Sequence, residues 1–91
     1  MLVIVAYDVP SDRRRTRLAH ALKDFGERVQ YSVFECRLDA AEIDLLRARV
    51  RKLLKTEEDQ LRIYRLCAAC SPQVELFGAG KVVDDTDVIV I

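Results

Sequence analysis

Histidine, cysteine, glycine and proline are all scarce in this chain. His20 is the only histidine, so no Ser-His-Asp or Cys-His nucleophile pair can be drawn around a second imidazole. There are three cysteines, Cys36, Cys67 and Cys70, and an odd count with no secretory leader argues against a disulfide framework. Cys67 and Cys70 have CxxC spacing, but a structural Zn²⁺ site wants four ligands and no second CxxC exists. The three glycines include Gly78 and Gly80, which with Lys81 fall far short of a phosphate-binding P-loop and read as a hairpin turn. No apolar run approaches the ~18 residues of a membrane span. Met1-Leu2 leads straight into a strand with no basic leader, so the expected compartment is the cytoplasm. Internal repeats, low-complexity segments and linkers are also missing.

What is present fits one packed domain. Hydrophobic residues make up 51% of the 91 positions and charged residues 33%, a balance that excludes disorder. A domain this small buries only about 60–65% of its unfolded surface, which favours an oligomer. Net charge is zero but unevenly spread. Residues 10–65 hold fourteen Lys and Arg against ten Asp and Glu, and residues 66–91 hold one against four. Eleven of the cations are arginine, the residue suited to bidentate phosphate contacts.

The most informative stretch is the first seventeen residues. Leu2–Tyr7 is a continuous β-rich run that reads as a buried central strand, and Asp8 stands at its carboxyl end. That is where α/β sheets place ligands. Pro10 ends the strand, and Ser11 or Asp12 caps a helix predicted to run to about Phe25, with Gly26 at its C′ position. Leu18, Ala21, Leu22 and Phe25 share one face; Arg13, Arg17, His20 and Asp24 share the other. Arg13, Arg14, Arg15 and Arg17 crowd the first turns, where cations oppose the helix dipole by about 0.3–1 kcal/mol each. A local cost of this kind points to an anionic partner, here phosphate, although salt bridges to Asp8, Asp12 and Asp24 would also answer it. Asp8 itself offers one hard oxygen ligand, or else a plain turn residue.

Val29–Leu38 is predicted as two short strands breaking near Tyr31–Val33. Asp39 and Glu42 form a capping-box-like start to a helix ending near Lys55, with Ile43, Leu46, Val50, Leu53 and Leu54 on one stripe. Arg47, Arg51 and Lys55 line another stripe, read as a solvated face. Gln60–Cys67 is a further strand, halted by Ser71-Pro72. The order β-α-β-β-α-β is the ferredoxin-like α+β plan, an antiparallel sheet with both helices on one face, spanning residues 1–70. Residues 74–91 lie outside that plan. Val74–Phe77 and Lys81–Val83 flank the glycine turn, and Val88–Ile91 would be an aggregation hazard if left free, so a partner strand is expected for it.

In order and spacing these residues resemble the CRISPR-associated protein two family, the small dimeric member of the CRISPR adaptation module. The resemblance rests on Val5-Ala6-Tyr7-Asp8-Val9, the Arg-rich helix start with Leu22, the stretch Gly26–Glu35, and Arg62-Ile63-Tyr64-Arg65-Leu66. It covers nearly the whole chain. It implies a ferredoxin-fold homodimer whose C-terminal strand joins the partner's sheet. It makes Asp8 a metal ligand facing its copy across the dimer, for Mg²⁺ or in its place Mn²⁺. Tyr7 precedes it in the motif. Arg15, Arg17, Arg28 and Phe34 match positions assigned to activity or nucleic-acid contact. Family members are described as endonucleases on RNA or double-stranded DNA, and others as non-catalytic bridges that bind the CRISPR integrase and hold the DNA to be inserted as a spacer. The cysteines and His20 match no family motif. Three readings stay open: a metal-dependent endonuclease with catalytic Asp8, a binding scaffold, and a stand-alone ribonuclease of similar fold.

Overall fold

Alternation decides the layout of the sheet. Strand β1, Leu2–Asp8, points Val3, Val5 and Tyr7 to one face and Ile4, Ala6 and Asp8 to the other. In the computed structural model, which describes residues 1–66, 75–78 and 89–90, β1 runs through the middle of a four-stranded sheet. Its antiparallel neighbours are β3, Val33–Arg37, and β4, Gln60–Leu66. β2, Gly26–Gln30, pairs with β3 and completes the order β2-β3-β1-β4. Helix α1 spans Asp12–Leu22 and α2 spans Ala40–Leu53. Both pack on the Val3-Val5-Tyr7 face, where Leu18 and Leu22 of α1 and Ile43, Leu46 and Val50 of α2 meet Phe34 and Cys36 of β3. The ferredoxin-like α+β expectation therefore holds. Full burial of side chains such as Phe34, Leu18, Leu22 and Leu46 is worth about 1.5–3 kcal/mol each before ordering costs.

The caps are where the sequence puts them. The Ser11 side chain accepts from the Arg14 backbone N–H at 3.2 Å. Asp39 and Glu42 form a complete capping box. The two short strands do break at Tyr31-Ser32.

Two boundaries differ, the start of β2, which lies at Gly26 and not at Val29, and the end of α1. α1 stops at Leu22 with Lys23 as its C-cap, so Gly26 does not terminate it. Gly26 instead opens β2 opposite Cys36. A Cβ there would meet the Glu35 carbonyl oxygen and stand 2.6 Å from Cys36 Sγ. The glycine is needed for close approach of two backbones. Gly26→Ala is expected to destabilise the domain by about 2 kcal/mol, a fall in Tm of roughly 10 °C for a chain of this size; differential scanning calorimetry reads it, and an unchanged Tm would show that β2 can simply move aside.

Cys36, between these strands, is fully buried, and burial, helped by the charge of Glu35, pushes its thiol up to about 11. A thiol held that high is protonated and inert at neutral pH. Cys67 and Cys70 lie outside the described residues, as does Lys81–Val83. Of the C-terminal segment, Glu75–Leu76 (β5) pairs in parallel with Ile89–Val90 (β6) as a separate two-stranded sheet. None of the described helices is long and apolar enough to cross a membrane.

Candidate functional site

The strand register separates the candidate residues into distinct places. Asp8 ends β1 opposite Gln60, on the sheet face that carries no helix. It is exposed and makes no ion pair among the described residues. Ile4, Ala6, Val33 and Tyr64 share this open face, and Tyr64 is 47% exposed.

Tyr7 points the other way, into the core. Its ring stacks on Phe34 with centroids 6.3 Å apart. Its hydroxyl donates to the Tyr31 carbonyl at 3.5 Å, and its backbone N–H donates to the Ser32 carbonyl at 3.1 Å. Tyr7 thus pins the turn between β2 and β3. Phe34 is fully buried. Neither aromatic ring reaches solvent well enough to meet a substrate, so both position other groups.

The arginines of α1 do not act as one cluster. Arg14 turns back to the loop before β4. Its Nε and a terminal nitrogen donate to the two Asp59 oxygens at 2.8 and 3.0 Å, and the same terminal nitrogen donates to Glu58 at 3.1 Å. Asp59 also accepts from the Lys55 backbone N–H at 2.8 Å. The hydrogen bond from Arg14 holds the Asp59 carboxyl below its ordinary range, while Lys55 and then Arg14 do the same for Glu58. Arg14 is a clasp between α1 and that loop, already neutralised. Arg15 donates to the Val9 carbonyl at 2.9 Å, pairs with Asp12, and lies over the Tyr31 ring at 5.8 Å. The Asp12 hydrogen bond raises its pKa, so it stays cationic throughout the working range. Arg13 and Arg17 are exposed and meet no carboxylate among the described residues. Arg28, on β2, sits over the Phe34 ring at 5.5 Å. On α2, Arg47 pairs with Asp44 and Arg49 with Asp24, as expected of a solvated face.

Two of the arginines do converge. Arg15 and Arg28 line a groove of about 440 Å³ between α1 and the β2–β3 turn, together with Thr16, Ala19, His20, Lys23 and Tyr31. Neither Lys23 nor Tyr31 stands out in the sequence as a site residue. An i, i+8 pair on a helix and a residue at a strand break carry no local sign of sharing a wall.

Similarity to known proteins can be set against this geometry. The family described as CRISPR associated protein Cas2 matches residues 1–74. A Synechocystis protein named CRISPR-associated endoribonuclease Cas2 3 is 47% identical over 77 residues, 85% of this chain and 84% of the relative. A Thermus thermophilus protein named CRISPR-associated endonuclease Cas2 2 is 48% identical over 90 residues, covering 99% of this chain and 96% of the relative. Among solved structures, a hypothetical protein from Thermus thermophilus superposes with a TM-score of 0.80 at 49% identity, over 91% of this chain and 96% of that one. Streptococcus pyogenes Cas2 gives 0.75 at 34% identity, over 86% of this chain and all of the other. Sequence along the βαββαβ core and superposition of the same sheet and helices agree, and the chain belongs to the CRISPR-associated protein Cas2 family.

Proposed function

We propose that this chain is a Mg²⁺-dependent endonuclease of the CRISPR adaptation module, acting as a homodimer on RNA or double-stranded DNA in the cytoplasm during spacer acquisition. The observation that carries it is the exposed, unpaired Asp8 carboxylate at the end of the central strand, in a chain whose relatives are named endonucleases and endoribonucleases.

One chain alone offers a cation little. Among the described residues no three His, Cys, Asp or Glu side chains cluster. Mg²⁺ needs only one or two carboxylates and keeps several waters, so a pair of Asp8 side chains from two copies fits it. The half-exposed apolar groups of the open face, Ile4, Ala6, Val33 and Tyr64, favour such a pairing, since a sheet face of this kind is normally covered. We place the C-terminal strands in the same interface, pairing with the partner's sheet. When bound, Mg²⁺ would supply an activated water and offset charge on the phosphate. The chain's own part is to hold the phosphodiester backbone with Arg13, Arg15, Arg17 and Arg28.

The same arginines serve a second reading, a non-catalytic dimer that holds DNA and bridges the CRISPR integrase. Incubation of the purified protein with labelled single-stranded RNA and double-stranded DNA separates the two. Cleavage in Mg²⁺ and none in EDTA is the expected result. Binding without cleavage under both conditions would establish the scaffold, and sedimentation as a monomer would remove the paired Asp8 site.

A further inference from the structure

The groove between α1 and the β2–β3 turn has a make-up that generic phosphate binding does not require. Arg15, Lys23 and Arg28 line it together with the Tyr31 ring, no carboxylate lines it, and of the three cations Arg15 is also paired with Asp12. Tyr31 is 70% exposed, yet its carbonyl accepts the Tyr7 hydroxyl at 3.5 Å and the next carbonyl, that of Ser32, accepts the Tyr7 backbone N–H. Arg15 covers one side of the ring at 5.8 Å. An aromatic ring with one face under a guanidinium and the rest open to solvent offers a flat apolar surface on which a planar group can stack. The volume of about 440 Å³ lies within the ~300–1,000 Å³ typical of small-ligand sites. The neighbouring groove between the helices contains the Asp24–Arg49 pair and lacks such a ring.

We infer that the Tyr31 groove is a subsite for one unpaired nucleotide of a single strand, its base stacked on Tyr31 and its phosphate among Arg15, Lys23 and Arg28. This rests on the nucleic-acid reading above and narrows it. A stacking ring discriminates between strands because a base inside a duplex already has neighbours on both faces, whereas an unpaired base has a face to give. Arg13 and Arg17, on the outer side of α1, can serve a duplex or a single strand alike; Tyr31 serves only the latter.

The test is fluorescence anisotropy with labelled ten-nucleotide single strands, RNA and DNA, and a hairpin duplex of the same sequence, in EDTA so that nothing is cut. Tyr31→Ala is expected to weaken single-strand binding by about tenfold and duplex binding by less than twofold. Tyr31→Phe keeps the ring and is expected to bind as wild type. Lys23→Gln is expected to lower the single-strand salt slope by about 0.7, the value for one lost phosphate contact. The Tyr31 side chain lies on the surface and makes neither Tyr7 bond, so the variants keep the fold, which circular dichroism verifies. Wild-type affinity of Tyr31→Ala for single strands, or an equal loss for both probes, overturns the subsite while leaving the nuclease reading intact. Failure of the wild-type protein to bind either probe overturns both.

Discussion

Asp8→Asn is expected to remove at least about 100-fold of the Mg²⁺-dependent cleavage rate while leaving the fold untouched. Groups one shell away from a catalytic metal already cost 10–100-fold when altered, so a direct ligand sets a higher floor. Asn keeps the shape of the side chain and loses the charge. Because Asp8 is exposed and makes no ion pair among the described residues, the substitution belongs with surface changes of about 0.5 kcal/mol or less. A second readout follows from the proposed pairing of two Asp8 side chains. Two carboxylates facing each other repel until a cation or proton comes between them. Mg²⁺ should therefore raise the Tm of the wild-type protein by mass action and leave that of Asp8→Asn where it was. Rates of cleavage and melting curves with and without Mg²⁺ read both effects. Equal activity in the two proteins, from preparations freed of contaminating nuclease, would strip Asp8 of a catalytic role.

Phe34→Ala should be the most damaging single change to stability. The ring is fully buried at the centre of the core, touching Tyr7 and supporting Arg28. Truncations of this kind cost about 3–5 kcal/mol, here a fall in Tm of roughly 15–30 °C. Loss of cleavage in that variant would say nothing about chemistry, since little folded protein would remain. Phe34→Leu is the informative partner. It fills most of the space, lacks the ring beneath Arg28, and forfeits a cation–π contact worth about 0.5–1 kcal/mol. The Leu variant should fold and keep most of its cleavage rate at a temperature below its transition. A folded Phe34→Leu protein with no activity would mean that the ring is needed for more than filling the core, by holding Arg28 or by touching substrate.

What could be read from the chain beforehand was whatever neighbouring residues decide among themselves. Ser11 and the Asp39–Glu42 box are local hydrogen bonds, and both formed. The apolar stripe of α2 and the break at Tyr31-Ser32 follow from period and turn chemistry. Gly26 is ambiguous in the sequence because one residue type answers two needs: the end of a helix nearby, or close passage of a strand nine or ten residues further on. Only the register with Glu35 and Cys36 distinguishes them. The arginine run misled in the same way. Four cations within five positions look like one patch, yet the partner that removes Arg14 from it is Asp59, 45 residues away. Tyr7 and Phe34 were legible as motif members, but their inward direction comes from strand pairing. Lys23 and Tyr31 gained meaning only when the helix was laid beside the turn.

The irregularity in β2 bears on how far this protein can assemble. Between Arg28 and Gln30 the pairing with β3 slips, so Val29 bulges from what is one border of the four-stranded sheet. A bulged border is a poor template for another strand. The opposite border, β4, pairs with β1 without interruption across all seven of its residues. Of the two borders, β4 is thus the regular one and β2 the interrupted one for any added strand. An object adhesive on a single flank pairs with its own kind and is finished, whereas two adhesive flanks would propagate into a fibre. The extra residue at position 29 makes this border the less suited of the two to accept a further strand.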